Sequence, residues 1–397
     1  MQKIFITGGS GFIGKLIVAR LIDDPQYETI YLLLRPSHRR SVAERRDELL
    51  RTIVPPELVP LAAGKIKAVS GDFVLPELGL SADDRSELVH SVDQILHLGA
   101  ITDFGSPIET ARKINVGGTE KVLALATACS KEGRLKRFDY VSTAYVAGMH
   151  KREATEQDLD RGQTFANPYE QSKFEAELLV REYGTRLPAA VYRPSIVIGD
   201  SCTGYVSSFS MLYWPLKILA DGIPRYFIPG SGGARVDIVP SDFVADAIVA
   251  LMQDDESLGK TFHLTAGRGN EVQMRTIIGD ACTTLNLKKL PFLPIWLANY
   301  LLQTPLRHMV PRKYFGIMKL GMPYTSYFEG KSAPFNSEHS AAMLARFGIS
   351  APPWGAYKEQ IFRYCRESSW GKARILPEYE YYRAAILKSR RLKEKCP

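Results

Sequence analysis

Cysteine is scarce and scattered in this chain. The five in 397 residues, at positions 129, 202, 282, 365 and 396, form no Cys-x-x-Cys pair, and their number is odd. That argues against a disulfide framework or a zinc site and fits a reducing compartment. Long apolar runs are missing as well: none reaches the ~18 uninterrupted residues of a membrane span. Met1-Gln2-Lys3 leads directly into Ile4-Phe5-Ile6 and the apolar stretch stops at glycines, so no signal peptide is read and the expected location is cytoplasmic. Internal repeats, low-complexity segments and nucleic-acid motifs are absent, which excludes solenoids and makes nucleic acid a poor partner.

What is present is ordinary for a globular protein: 45% apolar and 24% charged residues. A chain of this length buries a sizeable core in one large or two modest domains. The net charge of +8 is uneven, because residues 371–397 hold eight Lys/Arg against three Glu. That basic end reads either as a solvated helix end or as a surface attracted to an acidic carrier protein, coenzyme A phosphates or a membrane.

Apolar runs alternate with helical patterns through the first two thirds. Strands are expected at 3–7, 29–34, 65–69, 94–98, 137–142 and 189–193. Helices are expected at 12–22, 41–51, 81–91, 107–130 and 168–183. This βαβα order predicts an α/β fold, a doubly wound (Rossmann) parallel sheet covered on both faces. Regularity breaks after Gly199. A strand Val236–Pro240 then leads into a helix from Ser241 to Gln253, and 261–265 returns as a strand. The expected division is a nucleotide domain over 1–270 and a smaller, mostly helical substrate lobe over 271–397, with 200–235 contributing to the lobe.

Thr7-Gly8-Gly9-Ser10-Gly11-Phe12-Ile13-Gly14 lies between the first strand and the first helix. Gly8 permits a tight turn, Gly11 lets backbone approach a pyrophosphate, and Gly14 lets helix pack on sheet, with the helix N-terminus facing the phosphates. Thr7, Gly8, Ser10, Gly11, Phe12, Ile13 and Gly14 are thus expected dinucleotide contacts. After the second strand stands Arg35, followed by Pro36-Ser37-His38-Arg39-Arg40, with no carboxylate beside it in sequence. A cation there favours a 2′-phosphate, hence NADPH. Asp72, after the third strand, is placed either to meet the adenine amine or to cap a turn.

Asn167-Pro168-Tyr169-Glu170-Gln171-Ser172-Lys173 opens a helix, with proline in its first turn. Tyr169 and Lys173 share one face. A free phenol titrates near ~10, and an adjacent ammonium is expected to lower that value. Val141-Ser142-Thr143 ends a strand, so Thr143 can set its hydroxyl beside the Tyr169 oxygen and hold a carbonyl oxygen as hydride arrives.

These motifs resemble the extended short-chain dehydrogenase/reductases over roughly residues 1–270. Lys113-Ile114-Asn115-Val116-Gly117 resembles that family's helix start, whose Asn supports the active site. Tyr192-Arg193-Pro194-Ser195-Ile196 resembles the strand and loop flanking the nicotinamide. Finer likeness is to fatty acyl-CoA reductases and thioester-reductase domains, through Gly11–Lys15, Ile30–Arg35, Gly71-Asp72-Phe73, His97-Leu98-Gly99-Ala100 and Asn167–Glu177. The resemblance implies Thr143, Tyr169 and Lys173 as catalytic residues. It implies Gly99, Ala100, Asn115, Lys173, Pro194, Ser195 and Ile196 as cofactor contacts. It also implies an acyl-CoA or acyl-carrier-protein thioester as substrate, and relatives pair as homodimers through helices near 110 and 170. No metal is implied. A ketone or aldehyde reductase on a lipid-like or polyketide-like substrate uses the same residues, and a non-catalytic NADPH-binding protein stays open. Aromatics at 205–228 (Tyr205, Phe209, Tyr213, Tyr226) and 290–302 (Phe292, Trp296, Tyr300), flanked by Arg307, Arg312 and Lys313, suit the core of the small lobe, an acyl tunnel or a membrane-resting edge.

Overall fold

The continuous apolar runs become a seven-stranded, all-parallel sheet. In the computed structural model the described residues are 1–37, 39–209, 212–222, 227–297, 300, 327 and 329–395. His38, Tyr226, Arg307, Arg312 and Lys313 lie outside them. The strands are β1 (Gln2–Thr7), β2 (Tyr27–Leu34), β3 (Ile66–Ser70), β4 (Gln94–His97), β5 (Arg137–Val141), β6 (Ala189–Pro194) and β7 (Thr261–Leu264), in spatial order β7-β6-β5-β4-β1-β2-β3. Alternate residues of β1 feed opposite faces: Ile4 and Ile6 join one buried cluster and Phe5 the other. Strand order reverses between β1 and β4, so a crevice opens where their carboxyl ends diverge, the place where doubly wound sheets bind ligands.

Helices α1 (Phe12–Asp23), α2 (Val42–Ile53), α3 (Ala82–Ser91), α4 (Gly117–Glu132), α5 (Pro168–Tyr183) and α6 (Ser241–Leu251) cover the sheet. The helix expected over 107–130 is broken. Ile108–Ala111 runs into a five-residue wide turn, Arg112–Val116, before α4 begins. The wide turn rotates Asn115 inward, where Ile101 N donates to its Oδ1 (2.9 Å) and its Nδ2 donates to Ser172 Oγ (2.9 Å).

The strand expected over 236–240 is split at Asp237. Arg235–Val236 pairs antiparallel with Val272–Gln273, whereas Ile238–Pro240 pairs parallel with Ile196–Ile198. Buried Asp237 sits at the break, its carboxylate accepting from Ala266 N (2.9 Å). Beyond it come α7 (Met274–Leu285), α8 (Glu338–Ala345), α9 (Lys358–Glu367) and α10 (Glu378–Lys395). The basic α10 returns to lie on α1 and α2. Tyr205 stacks on Tyr381 (4.3 Å between centroids), and Phe209 meets Tyr213, Tyr364 and Trp370, so Tyr205, Phe209 and Tyr213 are core residues. Trp296 and Tyr300 are exposed. Among the described residues no helix is long and apolar enough to cross a membrane.

Candidate active site

The glycine turn has the steric form its sequence demands. Gly8 has φ +76°, and a Cβ there would lie 2.7 Å from Gly99 N; a Cβ on Gly14 would lie 2.3 Å from Gly8 O. Gly11 N closes the turn onto Gly8 O (3.0 Å), and no side chain caps the start of α1. The first N–H groups of α1, from Phe12, Ile13 and Gly14, are therefore left for an anion. Ser10 lies exposed on the same turn.

A buried relay that sequence reasoning missed fixes the two sides of the crevice. Thr7 Oγ1 donates to His97 Nδ1 (2.5 Å) and accepts from Gly99 N (3.3 Å). His97 Nε2 then donates to Thr119 Oγ1 (3.1 Å), which donates to Asn115 O (2.6 Å). Burial drives the His97 ring down to about 3, so it stays neutral and one tautomer satisfies the whole chain. Of the residues read as cofactor contacts, Thr7 spends its side chain on this relay and Asn115 its backbone carbonyl, the Asn115 side chain being held by Ile101 and Ser172. Gly99, just after β4, joins through its N–H.

At the end of β2 the fold brings up a carboxylate that the local sequence does not show. Arg35, although without an acidic sequence neighbour, has Asp72 Oδ2 3.7 Å from its guanidinium. Asp72 also accepts from Val74 N (3.2 Å), which is the turn-capping role. Arg45, from α2, reaches back to the Arg35 carbonyl, so a second cation stands at the same corner. Its only sequence signal was the capping box Ser41/Glu44, which fixes the start of α2.

Asn167 caps α5 by accepting from Glu170 N (3.0 Å), which aims Tyr169 back toward the strand ends. The Thr143 hydroxyl meets the Tyr169 phenol. It also donates to Pro194 O (3.4 Å) and accepts from Tyr145 N (3.3 Å). Ser195 N and Ile196 N are held by Leu264 O and Asp237 O. Lys173 is buried on the same helical face, but it does not lower the Tyr169 value as expected. Its Nζ donates to Tyr140 Oη (2.7 Å) and to Val141 O (2.8 Å). Burial pushes Tyr169 up to about 12 against the Thr143 bond, so it is a neutral phenol and a proton donor. Burial also brings Lys173 down to about 7, opposed by the charge of Glu177.

Aromatic side chains from distant segments close the site. Phe104 stacks on Tyr169 (5.5 Å) and on Tyr327 (5.8 Å), and Tyr145 packs edge-on to Tyr327 and Phe335. Tyr327 donates to Glu170, which burial pushes up to about 7. Nothing in the sequence marked Phe104, Tyr145 or Tyr327. Beside Tyr145 lies a cavity of about 700 Å³ with Asp237 and Glu271 in its wall and Lys151, Arg235 and Lys331 around it. None of the described aromatics at 205–228 or 290–302 lines it.

A doubly wound sheet with this glycine turn and a Tyr-x-x-x-Lys helix beside a Thr-ended strand defines the class of extended short-chain dehydrogenase/reductases. Within that class the chain belongs to the family described as "Male sterility protein", whose model matches residues 6–248. It is 29% identical over 287 residues to "Fatty acyl-CoA reductase wat" of Drosophila melanogaster, covering 64% of this chain and 54% of that protein. It is 30% identical over 272 residues to "Nonribosomal peptide synthetase asaC" of Aspergillus flavus, covering 66% of this chain and 26% of that protein. Among solved structures, the terminal R domain from the myxalamid PKS-NRPS biosynthetic pathway superposes with a TM-score of 0.78 at 28% identity, over 94% of this chain and 92% of that domain. The chain thus spans about half the length of that fatty acyl-CoA reductase, and a smaller part of the peptide synthetase. It is a reductase-type, NAD(P)-binding domain.

Proposed function

We propose that this chain is an NADPH-dependent reductase of acyl thioesters carried on coenzyme A or an acyl carrier protein. The observation that carries the reading is the cavity beside Tyr145. It opens two residues beyond Thr143, and its wall sets the charged groups Lys151, Arg235, Asp237, Glu271 and Lys331 beside the apolar Tyr145, Met149 and Phe335. A thioester on a long, amide-containing thiol arm suits such a wall. Its relatives among fatty acyl-CoA reductases and peptide synthetases support the same substrate class.

The free N–H groups of α1 and the close-packed glycines fit a dinucleotide pyrophosphate, and Arg35 with Arg45 fits a 2′-phosphate. NADPH bound there supplies hydride to the thioester carbon. Thr143 and Tyr169 hold the carbonyl oxygen, and Tyr169 gives its proton to that oxygen as negative charge develops. The resulting hemithioacetal breaks its C–S bond, releasing aldehyde and thiol. Lys173 holds charge beside Tyr169 and the ribose edge.

NADPH oxidation is therefore expected with acyl-CoA or acyl-carrier-protein thioesters, with aldehyde or alcohol as product identified by mass spectrometry. Turnover of free ketones alone would overturn the thioester reading. Arg35→Ala is expected to weaken NADPH by roughly tenfold or more, the cost of a charged hydrogen bond, and to leave NADH unchanged. Equal kcat/KM for both nucleotides in the unmodified protein would remove the NADPH preference.

A further inference from the structure

Glu177 follows Lys173 by four residues and Tyr169 by eight, so all three stand on one face of α5. It is fully buried, and its carboxylate is saturated with partners from other elements. Arg193 Nη2 on β6 donates to Oε1 (2.6 Å), and Arg193 Nε lies 3.1 Å from each oxygen. Ser142 Oγ at the end of β5 donates to Oε2 (2.6 Å). Each partner adjoins a site residue: Ser142 precedes Thr143, and Arg193 precedes Pro194, whose carbonyl accepts from the Thr143 hydroxyl. Arg193 goes on to donate to Asp158 O (2.8 Å) and to His263 Nε2 (3.1 Å), and His263 Nδ1 donates to Asn336 O (2.6 Å). One ion pair therefore meets α5, β5, β6, β7 and the segment entering α8.

A buried ion pair adds little stability over a well-packed apolar pair of the same volume. What an apolar pair cannot supply is register at the strand ends and a negative charge one turn from Lys173. We propose that Glu177 is a positioning residue of the reductase site, an anion that binds the ends of β5 and β6 to the catalytic helix and serves as the counter-charge of Lys173.

The surroundings fix the sign of its effect. Facing Glu177 are the cations Arg193 and, at 3.8 Å, Arg181. Around Lys173 stand the neutral Tyr140, Tyr169 and His97. His263 is driven to about 3 by burial and is neutral too, while Asp158 and Glu156 engage Arg161 and Ser340. Burial works against the Glu177 charge, but the Arg193 guanidinium and the bonds it accepts hold its carboxyl below the usual range. Glu177 is thus the anion that opposes the burial of the Lys173 ammonium.

The proposal rests on the reductase reading, and its test has one arm that needs no turnover. In Glu177→Gln, kcat is expected to fall by roughly tenfold or more with KM for the acyl substrate little changed. The limb of the pH profile that needs the ammonium should move to lower pH by about one unit. The Lys173 titration, followed by NMR on protein carrying 15Nζ-lysine with Lys173→Arg for its assignment, should move the same way. If Glu177→Gln does not fold, Glu177→Gln/Arg193→Met removes both charges together, and the same kcat loss and Lys173 shift are expected of it. A folded variant with unaltered kcat, pH profile and Lys173 titration would overturn the proposal. A chain that reduces no thioester, yet shows the Lys173 shift, would refute the reductase reading alone.

Discussion

Tyr169→Phe is expected to lower turnover by roughly 100- to 10,000-fold, the range a positioned proton donor supplies. The substitution deletes one oxygen and keeps the ring, so the stack on Phe104 at 5.5 Å survives. Nucleotide binding should persist, because the glycine turn and the Arg35 corner lie on other elements. No other group takes over as proton donor: the aliphatic Thr143 hydroxyl is a far weaker acid than a phenol, and Lys173 donates to Tyr140 and Val141 O. Stopped-flow measurement of hydride transfer, with NADPH affinity from fluorescence, separates the two effects. A variant within a few-fold of the unmodified rate would remove Tyr169 from the chemistry.

Lys173→Ala is expected to lose a comparable amount, roughly 100-fold or more, for a different reason. Its charge, not its proton, is the contribution. The amine, lowered to about 7 by burial, is an ammonium below that pH and neutral above it. Activity that depends on the ammonium is present below about 7 and falls as pH rises through it, so kcat/KM for NADPH should show that limb, and the variant should not. Stability runs the other way. Between the folded value and the higher value of an unfolded lysine, the unfolded chain binds the extra proton, so the native protein gains stability as pH rises through that window. Lys173→Ala should flatten this gain in denaturant titrations at pH 7 and 9. An unchanged slope would mean that Lys173 titrates normally.

The nucleotide half was legible in the sequence because its determinants are local. Glycines at 8 and 14 declare a turn that side chains would not fit, and the apolar runs declare buried parallel strands. Helical spacing puts Tyr169 and Lys173 on one face, and its place after a strand puts Thr143 near them. Spacing also contained Glu177, on the same face, but its partners Arg193 and Ser142 come from other strands and nothing in the pattern joins them. Phe104, Tyr145 and Tyr327 reach the site across long stretches of chain, so no window of sequence marks them. The capture of Lys173 by Tyr140 was hidden for the same reason, and with it the neutral state of the Tyr169 phenol. Sequence spacing shows which residues share a face; it does not show which other element will face them.

The placement of α10 on α1 and α2 has a consequence for how the molecule is made. Tyr381 and Tyr382 are buried among residues that include Tyr205. During synthesis the first βα units emerge hundreds of residues before the helix that covers them. Contacts of such wide sequence separation form slowly, because a long loop must close before they stabilise anything. A nascent chain stalled before residue 378 leaves Tyr205 and the two oldest helices without the cover that α10 provides, the kind of incomplete state on which chaperones act.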